Sequence, residues 1–166
     1  MADCCVVPAK PAVAPAVLAC PVSGTRSRQV DALTVKSLVR HLAFGEPPTQ
    51  YYFCEAPDCE VVYFPWRDGA TRFLRDDLLV RVWPKDRRDD TSVCYCFGVT
   101  RKQLREELER SDAPNAAARI KAEVQAGHCA CEVKNPSGKC CLGNIARVTQ
   151  ELQAVTLSQG KVRERA

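Results

Sequence analysis

The chain has 166 residues, of which 46% are hydrophobic, and its 24 basic and 20 acidic side chains give a formal net charge of +4. This length is enough for one ordinary domain or two very small ones, and the modest, evenly spread charge argues against a nucleic-acid-binding protein. Eleven cysteines, far above ordinary usage, make thiol chemistry the main feature to explain.

The cysteines could form a secreted disulfide framework, bind metals in a reducing compartment, or act as small buried hydrophobes. A secretory signal needs a basic start and an unbroken apolar stretch, whereas Asp3 precedes any base and prolines at positions 8, 11 and 15 interrupt the stretch. Residues 17–20 loosely resemble a lipoprotein cleavage box, but no apolar segment long enough to engage a membrane precedes them. We therefore expect a cytoplasmic protein without membrane insertion.

The first half of the chain predicts a small α+β unit. Residues 1–19 are rich in Ala, Val and Pro without periodicity, so we expect a flexible arm there. Residues 31–43 predict a helix with Asp31 as its cap. Runs of aromatic and β-branched residues at 51–54, 61–64 and 78–83 predict a small antiparallel sheet. The expected core of this sheet includes four aromatic residues: Tyr51, Tyr52, Trp66 and Trp83.

The second half predicts a helical unit. The polar stretch 84–90 predicts a boundary between domains at residues 20–86 and 90–158, with a tail at 159–166. Thr100 and Gln103 have the spacing of a capping box, and helices are expected through residue 110, over 115–125 and over 142–157. A cysteine-rich loop, residues 128–141, lies between the last two helices.

Two groups of cysteines have the spacing of metal sites. Cys54 and Cys59 flank a turn between two predicted strands, where both thiolates can face one zinc ion. Cys94 and Cys96 can reach one small inorganic core from an extended or turning loop, and their partners must come from positions 129, 131, 140 and 141. Because no C-x-x-C knuckle occurs in this half, an iron–sulfur cluster is favoured over a four-cysteine zinc site.

Several stretches resemble a known family. VCYCFGVT (residues 93–100), CACEVKNPSGKCCLG (129–143) and PDCEVVYF (57–64) look like the amino-terminal domain of CopZ-type copper chaperones. That domain is similar to bacterioferritin-associated ferredoxin, whose helical fold holds a [2Fe-2S] cluster through a C-x-C pair and two later cysteines. The likeness runs from about residue 20 to residue 142. It implies a zinc-binding β-sheet unit with a helix, followed by a helical [2Fe-2S] domain.

The resemblance also implies ligands for both centres. The expected cluster ligands are Cys94, Cys96, Cys131 and Cys141, with Cys129 and Cys140 as alternatives within each close pair.

The zinc ligands implied by the resemblance are Cys20, Cys54 and Cys59. Cys20 opens the segment CPVSG, which departs from the fuller family pattern at Ser23, where a second cysteine would stand. Tetrahedral zinc needs a fourth group or water, for which our order of preference is Asp58, then the Cys4–Cys5 pair, then His41.

Full-length chaperones of this family carry a further domain with an M-x-C-x-x-C copper loop, and the resemblance implies Cu(II) reduction and Cu(I) delivery to a transport ATPase. Met1 is the only methionine, so this sequence contains no such loop. We therefore expect a one-electron redox module in copper homeostasis, whose partners are metal ions and a redox or metal-transport protein. Metal-ion reduction is the one enzymatic activity this allows, because no catalytic triad, acid pair or phosphate loop is present.

Two alternatives stay open. The adjacent Cys4–Cys5 pair could capture a soft ion such as Cu(I) or Hg(II), which would make the protein a metal chaperone or sensor. A cluster that never cycles would instead make it a cluster carrier or a structural adaptor.

Overall fold

The computed structural model describes residues 13–45, 49–110 and 115–163, the last eight of these by backbone alone. It is a mixed structure of an antiparallel sheet and helices. In chain order the elements are β1 (Val17–Ala19), β2 (Arg26–Val30), α1 (Ala32–Leu38), β3 (Tyr51–Phe53), β4 (Val61–Pro65), β5 (Phe73–Leu74), β6 (Ser92–Cys94), β7 (Val99–Thr100), α2 (Arg101–Arg110), α3 (Ala116–Gln125), α4 (Cys131–Lys134) and α5 (Leu142–Arg163).

The first five strands form one antiparallel sheet in sequence order. Its central strand β3 is buried on both faces, since successive side chains of a strand point to opposite sides. Tyr51 and Phe53 pack into a core with α1, whereas Tyr52 packs on the other face beside the first group of cysteines. The Tyr52 ring stacks on Phe64 of the neighbouring strand at 5.6 Å between centroids. The two predicted strands at 51–54 and 61–64 are confirmed as β3 and β4.

Helix α1 is shorter than the sequence predicts. Asp31 caps it as expected, because its carboxylate accepts a hydrogen bond from the Leu33 N–H at 2.8 Å. The helix ends at residue 38 because Val39 turns to extended backbone and pairs with Leu78 in an isolated bridge. The predicted strand over 78–83 is wrong, since only this bridge forms there. Strand β5 at residues 73–74 takes the edge position instead.

The helical unit forms a second core. Helices α2, α3 and α5 bury Leu104, Ile120, Ile145 and Val148 around the β6–β7 hairpin. The predicted capping box is confirmed, because the Thr100 N–H donates to the Gln103 side chain at 2.8 Å and the Gln103 N–H donates to the Thr100 hydroxyl at 3.3 Å. The expectation that Trp83 belongs to the sheet core is wrong: its ring packs into this second core.

The two ends of the described chain are more regular than expected. Strand β1 lies within the segment 1–19 predicted to be a flexible arm, because it pairs with β2 from Val17 to Ala19. Helix α5 continues beyond the predicted end at 157 to residue 163, since no proline interrupts the chain there. None of the helices in the described part of the chain combines the length and the apolar character needed to cross a bilayer.

Candidate metal centres

The first thiol centre lies at the end of the sheet. Cys20 follows β1, Cys54 follows β3 and Cys59 precedes β4, so three strands of one sheet bring the cysteines together, with β2 between β1 and β3. Their Sγ atoms all lie within 4.8 Å of one another, and all three residues are buried. The Sγ atoms of Cys20 and Cys59 are 4.0 Å apart. Three converging thiols are a donor set suited to zinc or Cu(I).

A tight turn over residues 20–25 presents the Cys20 thiol. The Cys20 N–H donates to the Thr25 carbonyl at 2.9 Å, and Gly24 adopts a φ of 69°, which favours glycine. Burial raises the pKa of the Cys20 thiol, but hydrogen bonds from the Ser23 side chain and from the backbone N–H groups of Ser23 and Val22 outweigh it and lower this pKa to about 7. The turn therefore prepares a thiolate, the form that binds metal.

Lys85 lies beside the first thiol centre, although no pattern in the sequence indicates it. It lies in the predicted inter-domain stretch, yet it is only 5% exposed and points at the first thiol centre. Its Nζ donates to the carbonyl oxygens of Ala56 at 2.7 Å and Cys59 at 3.0 Å. Burial lowers the pKa of Lys85, while the charges of Cys54 and Cys59 act in the opposite direction. Lys85 thus braces the loop that carries two of the thiols.

The predicted fourth ligand is not near the three thiols. Asp58 is exposed, and its carboxylate is not in the group of ligand atoms within 4.8 Å. A proline and an aspartate inside a turn usually project into solvent, which explains this placement. His41 is also exposed and outside the group, and Cys4 and Cys5 lie outside the described residues.

Ser23 is the unexpected neighbour of the first thiol centre. Its Oγ lies 3.5 Å from the Sγ of Cys54. Ser23 stands where the family pattern has a second cysteine. This departure from the pattern is the feature of the sequence that could have indicated a position near the metal centre.

The second thiol centre lies in the helical unit. Cys94 ends β6, Cys96 lies in the turn to β7, Cys131 begins α4 and Cys141 directly precedes α5. Cys94, Cys131 and Cys141 are buried and Cys96 is partly exposed. The structure therefore brings all four predicted cluster ligands to one region of the second core.

These four thiols form two close pairs. The Cys141 thiol donates to the Sγ of Cys94 at 2.7 Å, and the Sγ atoms of Cys96 and Cys131 are 3.6 Å apart. Within the described part of the chain, only the first centre brings three ligand atoms within 4.8 Å of one another. The four thiols of the second centre thus meet as two pairs and not as one converging set.

Hydrogen bonds favour negative charge on part of the second centre. The bond from the Cys141 thiol, with backbone N–H groups of Phe97 and Cys96, lowers the pKa of Cys94 to about 6 against the effect of burial. The same bond, together with burial, raises the pKa of Cys141, which keeps its proton. Burial and the contact with Cys96 raise the pKa of Cys131 to about 12. One member of each pair thus has a raised pKa, which favours its protonated thiol form.

The remaining two cysteines of this half lie at the edge of the centre. Cys129 is partly exposed and Cys140 is exposed. No described hydrogen bond joins either of them to the four thiols of the two pairs. All nine cysteines in the described part of the chain are free thiols.

Comparisons with known proteins agree with this architecture. Residues 18–78 match the CopZ-type sequence family described as a zinc-binding domain, and this range contains the three cysteines of the first centre. The copper chaperone CopZ of Archaeoglobus fulgidus is 34% identical over 132 residues. That alignment covers 80% of this chain and 62% of that protein, so the chain spans about three fifths of the relative's length.

A solved structure covers both units. The X-ray structure of the Archaeoglobus fulgidus CopZ amino-terminal domain superposes on this chain with a TM-score of 0.62 at 34% identity. The superposition covers 79% of this chain and 97% of that domain. The sheet and the helical unit together therefore have the fold of that domain.

Proposed function

Because this chain belongs to the family of the CopZ amino-terminal domain, we propose that it is a metal-binding protein of copper homeostasis with two different thiol centres. The observation that carries this proposal is the sorting of seven thiols into one buried group of three and two close pairs. A single metal ion and a dinuclear cluster need separate sets of thiol ligands, and the grouping of the thiols provides two such sets.

The first centre holds zinc in this proposal. Cys20, Cys54 and Cys59 supply three thiolates. The positive charge of Lys85 offsets part of their negative charge. Ser23 or a water completes the four groups that tetrahedral zinc takes. Burial of the three thiols makes this zinc structural, because the metal ties the end of β1 to the paired strands β3 and β4. The same three thiols also suit Cu(I).

The second centre holds a [2Fe-2S] cluster in this proposal, with Cys94, Cys96, Cys131 and Cys141 as its ligands. A bound cluster supplies one-electron redox chemistry. The chain's own part is to hold thiolates and to offer N–H donors: the Ala130 N–H donates to the Cys96 Sγ at 3.3 Å. The amino-terminal end of α5 directly follows Cys141, and its dipole favours added negative charge at that ligand.

A soft-metal chaperone is the second candidate, and the comparisons favour it more directly than electron transfer. The relative from Archaeoglobus fulgidus is named a copper chaperone, and the matching sequence family is one of zinc binding. In this role Cys4 and Cys5 capture Cu(I) and hand it to a metal-transport protein. Two adjacent thiols supply the soft sulfur ligands that Cu(I) prefers.

Anaerobic purification followed by metal and sulfide analysis tests the two-centre proposal. We expect about two iron, two sulfide and one zinc per chain, and a rhombic EPR signal on dithionite reduction. Serine variants of Cys131 and Cys141 lose the iron and keep the zinc, whereas Cys129→Ser and Cys140→Ser keep both. A colourless protein that stays iron-free after reconstitution would contradict the cluster and leave a zinc or copper protein.

The chaperone role has its own test. Competition with a Cu(I)-specific chelator gives the number and affinity of Cu(I) sites in the metal-loaded protein. A Cys4→Ser/Cys5→Ser double variant should lose the tightest site if the pair carries the function. Unchanged Cu(I) binding in this variant rules out the pair, while the iron content of the same sample reports separately on the second centre.

A further inference from the structure

A surface cavity of about 350 Å³ lies where the sheet meets the cysteine loop and the start of α5. Arg28 of β2 and Phe53 of β3 line it from the sheet side, and Lys139, Cys140 and Arg147 line it from the helical unit. The cavity is separate from both groups of buried thiols, since of the nine described cysteines only the exposed Cys140 borders it.

The charges around this cavity are mostly positive. Arg28, Lys139 and Arg147 face a single carboxylate, that of Glu55. None of these three cations has an ion-pair partner among the described residues. Six other arginines do: residues 75, 81, 88, 101, 105 and 119 each contact a carboxylate. Arg147 donates to the neutral Asn144 side chain at 3.5 Å, so none of the three charges is neutralised by a described carboxylate and each can pair with an added anion.

Trp83 and the start of helix α5 also border this cavity. Trp83 lines the cavity, is 4% exposed, and its indole N–H has no hydrogen-bond partner within the described structure. A buried donor without a partner is costly and is commonly satisfied by a ligand or water. Asn144, in the first turn of the 22-residue helix α5, also lines the cavity, so the positive end of the helix dipole lies there.

The three cations come from three separate elements of the structure. Their distribution around the cavity determines which kind of anion fits it. Arg28 lies on a strand, Lys139 on the cysteine loop and Arg147 on α5. Arg147 is held with its guanidinium carbon 5.4 Å from the centre of the Trp83 ring. Cations distributed around a cavity of this size match several separated anionic groups better than one compact ion.

We propose that this cavity binds a small molecule carrying two or more carboxylates. Its carboxylates pair with Arg28, Lys139 and Arg147, and the amino-terminal end of α5 adds its positive dipole end. The ligand is either a plain polycarboxylate or a carboxylate-bearing thiol, whose sulfur would lie beside Cys140. The proposal does not depend on which metals the two thiol centres hold.

Isothermal titration of the metal-loaded full chain at low ionic strength tests this site. The probes are tricarballylate, S-methylglutathione, glutathione and inorganic phosphate. We expect saturable binding of tricarballylate or of the glutathione pair, and weaker binding of phosphate. Tightest binding of tricarballylate assigns a plain polycarboxylate, whereas tightest binding of glutathione, above its S-methyl derivative, assigns a carboxylate-bearing thiol.

An Arg28→Gln/Arg147→Gln double variant locates the site. Loss of each charge-assisted contact should weaken binding about tenfold. Arg67→Gln/Arg72→Gln is the matched control, because it removes the same charge from two arginines outside the cavity lining. The proposal is overturned by absence of saturable binding, by equal weakening in both double variants, or by phosphate binding as tightly as the carboxylates.

Discussion

The hydroxyl of Tyr63 donates a hydrogen bond to the backbone carbonyl of Pro136 at 2.7 Å, and both residues are buried. This bond joins strand β4 to the loop between Cys131 and Cys141. The Thr34 hydroxyl of α1 reaches the same region, donating to the Glu132 carbonyl at 2.6 Å. The sheet that carries the first thiol centre thus also positions ligands of the second.

Replacing Tyr63 with Phe should therefore weaken the second centre. The variant leaves the buried Pro136 carbonyl without its donor, which costs about 1–3 kcal/mol of unfolding free energy. We expect a lower guanidinium midpoint by far-UV circular dichroism and faster loss of iron to a chelator. Tyr52→Phe is the matched control, since its hydroxyl donates to Pro15 in the sheet unit and reaches no cysteine loop. Iron loss that is equal in the two variants would contradict the coupling.

Gly138 should tolerate no side chain. Its φ is +66°, and a Cβ atom would lie 2.9 Å from the Thr34 hydroxyl oxygen. Gly138→Ala combines backbone strain with displacement of a hydrogen-bonded side chain, so we expect a loss of about 2–4 kcal/mol. Gly127→Ala has a similar φ of +78° and open space, and should lose only the strain, about 1–2 kcal/mol. Chemical denaturation of both variants measures the difference, and equal losses would show that the Thr34 contact contributes nothing.

Lys85→Met should lower zinc affinity. The variant keeps the length of the buried stem but removes the donor to Ala56 and Cys59 and the positive charge near the thiolates. Substitution of residues that position the metal ligands without binding the metal typically reduces metal affinity about 10–100-fold. Competition with a chromophoric chelator measures the effect. Lys36→Met, on the exposed face of α1, serves as the control and should bind zinc normally. Wild-type affinity in Lys85→Met would mean that the lysine only fills space.

Ser23→Cys should strengthen zinc binding. The Ser23 oxygen already lies 3.5 Å from the Sγ of Cys54, so a thiol there would add a fourth sulfur to the set of three. We expect at least about a tenfold gain in zinc affinity in the same chelator competition. Val22→Cys adds a thiol to the same turn at a residue that is 60% exposed, and should change nothing. If both variants behave alike, Ser23 does not face the metal position.

Local sequence signals located most of the helical unit and part of the sheet. The Thr100 and Gln103 capping box fixed the start of α2, and the aromatic runs fixed β3 and β4, because these features act over a few residues. Strands β1 and β2 gave no such signal. Four of the five residues 26–30 are polar or charged, and they form a strand because β1 and β3 offer them partners.

The sequence by itself determined which residue types could bind metal: the cysteine count, the C-x-C pair and the turn between positions 54 and 59 all indicate thiol centres. Only the tertiary structure decided how the thiols are grouped, because strands and helices far apart in the chain bring Cys20 to Cys59 and Cys94 to Cys141. It also placed Lys85 and Ser23 beside the first centre and left Asp58 in solvent. Burial and long-range contacts decide these positions, and neither follows from local spacing.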